Sequence, residues 1–246
     1  MAHIIKMASV LENRYKTYKK RVVTGLIIAA VCGGVGMVLF ALFMIILAIP
    51  CMMGMQAAFV FAAVMFAKAR TVGSGVQGES AQARLLSLLP DDYYILQNLT
   101  VTYEDKSSEI DAVVVGPTGV FAVEAKNMGG LIEANGAERQ WVQHKIGRRG
   151  TPYSNTFYSP VKQVRTHVYR LANHLRDNGF RVTVESAVYF SNPETQVRQI
   201  NEDSRTPVFS AAENGGADLL AYITRFPVVL HPDRVQRIVD FLKTHR

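Results

Sequence analysis

The sequence contains only two cysteines among its 246 residues, Cys32 and Cys51. Residues 68–246 have none, so this part of the chain has neither a disulfide framework nor a thiolate zinc site. The six histidines include no closely spaced pair of the kind that binds metal. His167 and His174 are seven residues apart on a predicted helix, where a solvent-exposed face is the simplest interpretation. These absences fit a reducing cytosol.

Charged side chains are missing from one long segment near the N-terminus. Between Arg21 and Lys68 lie 46 residues without a single charged side chain. About 20 apolar residues span a bilayer, so a run of this length predicts two transmembrane helices. Pro50 is the expected break, with one helix over residues 22–49 and a shorter one over 51–67. The run is too long for the apolar core of a cleaved signal peptide, which has about 7–15 residues. A buried helical hairpin of a soluble protein is the alternative.

Basic residues flank this apolar run on both sides. Residues 1–21 carry six basic side chains against one acidic one, and Lys68 and Arg70 follow the run. By the positive-inside rule, both termini are expected in the cytoplasm of a multi-pass protein of the inner or plasma membrane, with Pro50 outside. The predicted organisation is a basic juxtamembrane segment (1–21), a transmembrane hairpin (22–67), a flexible Gly/Ser linker (68–77) and a globular domain (78–246).

The most informative motif of the globular domain lies between Asp111 and Lys126. Two strands rich in β-branched residues surround a Gly-Pro-Thr-Gly turn at residues 116–119. A hairpin symmetric about that turn pairs Val115 with Val120, and Asp111 with Glu124. Opposed residues in such a pair lie about 4.5–5.5 Å apart, and like charges there repel.

Two opposed carboxylates need a neutralising partner, and a divalent cation is the best candidate. Side chains alternate along a strand, so Lys126 shares a face with Glu124. Two acids and a lysine around one point are the components of metal-assisted phosphodiester hydrolysis. The other interpretation, acids that flank strands by chance, stays open at this point.

Further elements are predicted from periodicity and caps. Helical spacing is seen at 79–89 and again after Ser159-Pro160, where serine is the expected N-cap and proline the first helical residue. The sequence thus predicts an α/β fold, a sheet with helices packed on it. Further helices are predicted at 216–224 and 232–244, and strands at 93–101, 131–133, 140–145, 182–190 and 206–209.

Charge is unevenly distributed within the globular domain. Residues 68–138 carry five basic and ten acidic groups, whereas residues 139–181 carry nine basic groups and one acidic group. A basic segment beside an acidic metal site suits a polyanionic substrate, because basic groups would hold the flanking phosphates. A solvated helix face is the alternative. The predicted nucleic-acid contacts are Arg148, Arg149, Lys162 and Arg165.

Residues from about 76 to 190 resemble the NERD (nuclease-related) domain, a branch of the PD-(D/E)XK nuclease superfamily. The specific part is the segment from Asp111 to Lys126, and one departure is Ser159 where the family commonly has asparagine. The matching residues, in the order of the family, are Gly78-Glu79, Glu109-Ile110-Asp111, Val113 to Pro117, Gly119-Val120-Phe121, Glu124-Ala125-Lys126-Asn127, Gly130, Trp141, Ser159-Pro160 and Gln163.

The resemblance implies a PD-(D/E)XK-like mixed sheet flanked by helices, here preceded by the transmembrane hairpin. It also implies that Asp111 and Glu124 bind Mg²⁺, for which Mn²⁺ could substitute. Lys126 would orient the attacking water and stabilise the charge of the transition state. Glu79 would be an auxiliary acid, and Gln163 a polar group lining the site.

The function expected from this sequence is a membrane-anchored, metal-dependent endonuclease on the cytoplasmic side of a bacterial membrane. DNA is expected rather than RNA, and defence against foreign DNA would suit the location. Two alternatives remain. One is a catalytically silent module that binds nucleic acid or signals at the membrane, and the other is a scaffold that recruits a protein partner. Self-association is also left open.

Overall fold

The computed structural model describes residues 3–6, 10–41, 45–147, 150–200 and 205–245. They form two compact units, one of Ser9–Val76 and one of Met1–Ala8 with Gln77–Arg246. Five helices are described: α1 Val10–Ala41, α2 Ile45–Leu86, α3 Pro160–Asp177, α4 Gly215–Thr224 and α5 Pro232–Thr244. The strands are β1 His3–Lys6, β2 Tyr94–Tyr103, β3 Lys106–Gly116, β4 Gly119–Lys126, β5 Gly130–Asn135, β6 Gln140–Ile146, β7 Pro152–Tyr158, β8 Val184–Phe190, β9 Thr195–Ile200 and β10 Val208–Ser210.

The unit of Ser9–Val76 contains two segments long and apolar enough to cross a membrane, Leu11–Val38 and Ile49–Ala69. Most of their side chains are not covered by protein, and large apolar ones such as Met37 and Val60 are exposed. Small residues bring the two helices together: a Cβ on Gly25 would lie 3.1 Å from the Cβ of Ala62. Close approach through small residues is typical of helix pairs in membranes.

Two details of this region differ from the sequence prediction. Pro50 does not separate the helices, because it lies inside α2, and α1 already ends at Ala41. Pro50 is the sixth residue of α2, where proline removes the backbone hydrogen bond to the carbonyl four residues earlier. Transmembrane helices tolerate proline because neighbouring groups satisfy the freed carbonyl. Residues 68–77, predicted as a flexible linker, lie within α2 as well. Their glycines lower helix propensity by about 1 kcal/mol each, which a long flanking helix can offset.

The second unit is built on a six-stranded sheet in the order β1-β2-β3-β4-β8-β10. Strands β2, β3 and β4 form an antiparallel meander, and β4, β8 and β10 are parallel. The predicted hairpin register is confirmed, since Val115 pairs with Val120 across the turn. The mixed α/β architecture predicted from the sequence is therefore present.

Strand β4 lies at the centre of this sheet and is buried on both faces. Val120 and Ala122 pack on the side covered by α3 and α5, whereas Phe121 and Val123 pack on the side of α4. Burial on both faces explains why the strand is an unbroken apolar run rather than an alternating one. That run stops at Glu124, and polar side chains therefore begin at the carboxyl end of β4.

A second sheet of four strands, in the order β7-β6-β5-β9, follows this end of β4. The predicted strands around Trp141 are confirmed as β5 and β6. Strands β1, β7 and β9 were not predicted, and β7 has almost no buried residue that could have marked it. Gly130 opens β5 with a φ of +96°, where a side chain would clash with the His144 carbonyl. This close approach is between β5 and β6, and the absence of a side chain at Gly130 allows the two strands to pair from the first residues of β5.

Candidate functional site

The β3–β4 ladder ends one pair before the two predicted acids. Its last backbone pair joins Ala112 and Val123. Beyond it, the backbone N–H of Ala125 donates a 2.7 Å hydrogen bond to Oδ2 of Asp111. The Asp111 side chain thus takes the place of a ladder carbonyl. This bond positions one carboxylate beside the carboxyl end of β4, where Glu124 provides the second.

Glu124 is almost completely buried, with 1% of its side chain exposed. Its Oε1 lies 2.6 Å from Nζ of Lys126, and the lysine side chain remains 23% exposed. The two residues share a face of β4, as strand alternation predicts. A buried carboxylate requires an ionic partner, and in this arrangement Lys126 is that partner.

Helix α3 supplies the next contact. Its first turn begins as predicted, with Ser159 Oγ accepting from the backbone N–H of Lys162 and Pro160 at the first helical position. The turn directs Gln163 to β4, where its Oε1 accepts a 3.0 Å hydrogen bond from Nζ of Lys126. Two of the three ammonium donors are therefore occupied, one by an acid and one by a neutral amide.

His167, one helical turn after Gln163, also contacts the acid. Its Nε2 lies 3.5 Å from Oε2 of Glu124, and its side chain is 10% exposed. The expectation of a solvent-exposed face is therefore wrong for His167. The signal was present in the sequence, because His167 lies between Val164 and Leu171 at helical spacing, on the apolar stripe that packs in the core.

The electrostatics separate the two carboxylates. Burial and repulsion by Glu124 raise the pKa of Asp111 well above its usual range, and the charge of Glu79 adds to this effect. Burial also acts to raise the pKa of Glu124, but its contacts with His167 and Lys126 outweigh that, and the pKa of Glu124 is lowered. Glu124 therefore carries the negative charge of the pair, while Asp111 takes up a proton more readily.

The comparison with known proteins agrees with this geometry. The family of nuclease-related domains matches residues 74–191. Those residues are a nuclease-related domain. An uncharacterized protein of Bacillus anthracis is 38% identical over 93 residues, which cover 37% of this chain and 43% of the relative. The match thus spans less than half of that relative's length. No solved structure matches the chain significantly.

The nuclease-related domain contains all five residues predicted for catalysis. The structure places four of them, Asp111, Glu124, Lys126 and Gln163, in one cluster linked by hydrogen bonds. Asp111 and Glu124 flank Ala125, and Lys126 joins Glu124 to Gln163. Glu79 lies on α2, close enough for its charge to affect Asp111. His167 is the functional candidate that the sequence reasoning missed.

The donor set of the nuclease-related domain fits a cation that needs few protein ligands. Among the described residues, no group of three or more His, Cys, Asp or Glu side chains could hold a metal ion. A structural zinc site would need four such ligands. Mg²⁺, in contrast, keeps several waters and binds through one or two carboxylates together with substrate phosphates. Among the described residues, Oε2 of Glu124 is buried without a hydrogen-bond partner, so the protein does not fully satisfy this carboxylate.

The residues predicted to contact phosphates are distributed differently. Lys162 directly precedes Gln163 and is partly exposed on α3. Arg165 is two residues after Gln163, which is about 200° around the helix, and lines an open cleft of about 440 Å³ with Tyr169 and Arg205. Lys162 and Arg165 are three residues apart, about 300° around the helix, so they are neighbours on the same side of α3. Arg148 and Arg149 lie outside the described residues.

Proposed function

We propose that this protein is a membrane-anchored nuclease that hydrolyses phosphodiester bonds of nucleic acid, with DNA as its expected substrate. The observation that supports this most is the cluster of Asp111, Glu124, Lys126 and Gln163 at the carboxyl end of β4, inside a nuclease-related domain. Carboxylates for a divalent cation and an ammonium for a phosphate are brought together there by three separate elements of the fold, β3, β4 and α3.

Asp111 and Glu124 would hold Mg²⁺ or Mn²⁺. The cation, when bound, polarises the phosphoryl oxygen and lowers the pKa of a water that attacks phosphorus. Lys126 would exchange its contact with Glu124 for the phosphate, where an ammonium stabilises the charge that develops in the transition state. Gln163 keeps Nζ in place during that exchange, because its amide oxygen accepts from Lys126 independently of Glu124.

The membrane part of the proposal rests on the two apolar helices and their basic flanks. Both helices are long enough to cross a bilayer, and the arginines and lysines around them favour cytoplasmic ends. A nuclease held at the inner face of a bacterial membrane would meet DNA as it enters the cell. Defence against such DNA is the role that suits this location.

A plasmid-nicking assay tests the activity. The full chain in detergent is expected to nick DNA with Mg²⁺ or Mn²⁺ and to stop on addition of EDTA. Glu124→Gln should abolish nicking, whereas Glu138→Gln, an exposed glutamate in the β5–β6 turn, should leave it unchanged. If the parent chain binds DNA but never cuts DNA or RNA with either cation, the alternative of a catalytically silent binding module replaces this proposal.

That alternative has one observation in its favour. The Lys126 ammonium lies on Oε1 of Glu124, so a cation must compete with an ion pair for this carboxylate. Binding of Mn²⁺ to the parent chain, measured by electron paramagnetic resonance, decides whether it does. A chain that binds nucleic acid but no Mn²⁺ would be a module without the chemistry.

A further inference from the structure

His167 is a buried polar side chain that the proposed chemistry has not used. Neither of its ring nitrogens has a hydrogen-bond partner among the described residues, and the same holds for Oε2 of Glu124. These two unsatisfied groups face each other, with 3.5 Å between Nε2 and Oε2. Buried polar groups are nearly always hydrogen-bonded, so an unpaired donor beside an unpaired acceptor calls for a reason.

The geometry around Glu124 supplies one. Gln163 and His167 are four residues apart on α3, so their side chains lie one above the other on the same face. Gln163 contacts Lys126, Lys126 contacts Oε1 of Glu124, and His167 approaches Oε2. The helix therefore touches the lysine and the glutamate at adjacent points, and each carboxylate oxygen has its own neighbour.

We propose that His167 is a positioning residue for Glu124. In this role, which rests on the proposed function, Nε2–H donates to Oε2 once a cation displaces Lys126 from Oε1. Without that bond, Glu124 would lose the orienting contact of Lys126 at the moment when it must hold a cation. His167 keeps the carboxylate oriented by closing a gap that is slightly longer than a hydrogen bond.

His167 acts in this proposal through the glutamate and not as a metal ligand itself. The described residues contain no group of three acids, cysteines and histidines spaced to share one cation. A residue that hydrogen-bonds a ligating carboxylate still affects the cation, because it fixes the ligand's direction. Loss of such an outer partner typically lowers metal affinity by about 10–100-fold.

Mn²⁺ binding to the full chain in detergent, followed by electron paramagnetic resonance, tests the proposal without any turnover. His167→Leu removes the donor and is expected to weaken Mn²⁺ binding by about 10-fold or more. His167→Gln places an amide N–H near the position of Nε2 and should restore affinity to within about threefold. His174→Leu, on the same helix two turns further along, is the matched control and should bind as the parent does.

The outcomes separate this role from the proposed function. Equal Mn²⁺ affinity for the parent and His167→Leu overturns the positioning role and leaves the nuclease proposal standing. An equal loss in His174→Leu, or a failure of His167→Gln to restore binding, also overturns it, since the effect would then come from the helix as a whole. If His167→Leu does not fold, His167→Asn, whose amide is too short to reach Oε2, takes its place. A folded parent that binds no Mn²⁺ overturns both proposals.

Discussion

Asp111 and Ala125 are joined by a hydrogen bond in which a side-chain carboxylate accepts from the backbone at the position where the β3–β4 ladder stops. The carboxylate is thus held by the sheet itself, which leaves its remaining lone pairs for a cation. It is also held close to Glu124, and repulsion between the two raises the pKa of Asp111. The concentrated negative charge that suits a cation therefore lowers the stability of the metal-free protein.

Asp111→Asn is expected to abolish metal-dependent cleavage and to stabilise the metal-free protein. Asparagine retains an oxygen that can accept from Ala125 but carries no charge to repel Glu124. For a domain of this size each kcal/mol gained raises Tm by about 2–4 °C. Fluorescence of Trp141, the single tryptophan and a buried one, reports unfolding. A lower Tm for Asp111→Asn, or cleavage at the parent's rate, would contradict the assignment.

The pH dependence of stability should show opposite contributions from the two acids. The pKa of Asp111 is raised in the folded state, so its contribution is present below its ordinary value of 3.8 and is lost as pH rises through the folded pKa. The pKa of Glu124 is lowered, so its contribution is present above its ordinary value of 4.5 and is lost as pH falls. Denaturant unfolding without metal, between about pH 4 and pH 8, should show a free energy of unfolding that declines as pH rises. Asp111→Asn should remove this decline.

Lys126→Met should lose cleavage yet still bind Mn²⁺, because the lysine acts on the transition state and competes with the cation for Glu124. The variant should also be less stable without metal, since it leaves a buried carboxylate unpaired. Breaking a buried ion pair costs about 3–5 kcal/mol, and the partial exposure of Lys126 places the expected loss at or below the lower value. In a double-mutant cycle, adding Glu124→Gln to Lys126→Met should recover most of the lost stability, because no unpaired carboxylate then remains at this position.

Salt dependence tests the two residues of α3 that are predicted to contact phosphates, Lys162 and Arg165. A contact to a duplex phosphate contributes about 0.9 to the slope of log K against log salt. Lys162→Gln, next to Gln163, is expected to flatten the slope by about one such contact. Arg165→Gln, three residues later and on the same side of the helix as Lys162, should flatten it by a similar amount, and Arg237→Gln on α5 is the exposed control. An unchanged slope for both variants, and for the pair Arg148 and Arg149, would leave the basic segment as solvated surface.

Accessibility to a membrane-impermeant thiol reagent tests the topology. In a chain whose native cysteines are replaced by serine, a cysteine at residue 43, between α1 and α2, should react from outside intact cells. A cysteine in place of Asp105, in the β2–β3 turn, should react only after permeabilisation. Labelling of position 105 in intact cells would overturn the cytoplasmic assignment of the nuclease-related domain.

The sequence predicted the elements whose signals are local. The β3–β4 register followed from a two-residue turn between β-branched strands, and the start of α3 from Ser159 and Pro160. Strand β7 could not be found, because nearly all its side chains are exposed and no alternation marks it. The extent of α2 was missed because Pro50 and the glycines before Gly78 disfavour a helix locally, while the residues on either side favour it.

Within the site, the grouping of Asp111, Glu124 and Lys126 was predictable from strand periodicity. The contact of α3 with that group was not, since it depends on how a helix packs across a sheet more than 30 residues away in sequence. Gln163 was expected only from the resemblance to a family. His167 had a local signal, its place on the apolar stripe, but a histidine there reads equally well as a side chain that merely fills the core.

The burial of β4 on both faces has a consequence for how the protein loses activity on heating. Amide exchange and local opening begin at strand edges and loops, and the central, fully covered strands open only when the whole domain unfolds. Glu124 and Lys126 are at the end of such a strand, and Gln163 is tied to them. Cleavage and the folded state should therefore disappear together on heating, so that residual activity after a heat step measures the surviving native fraction.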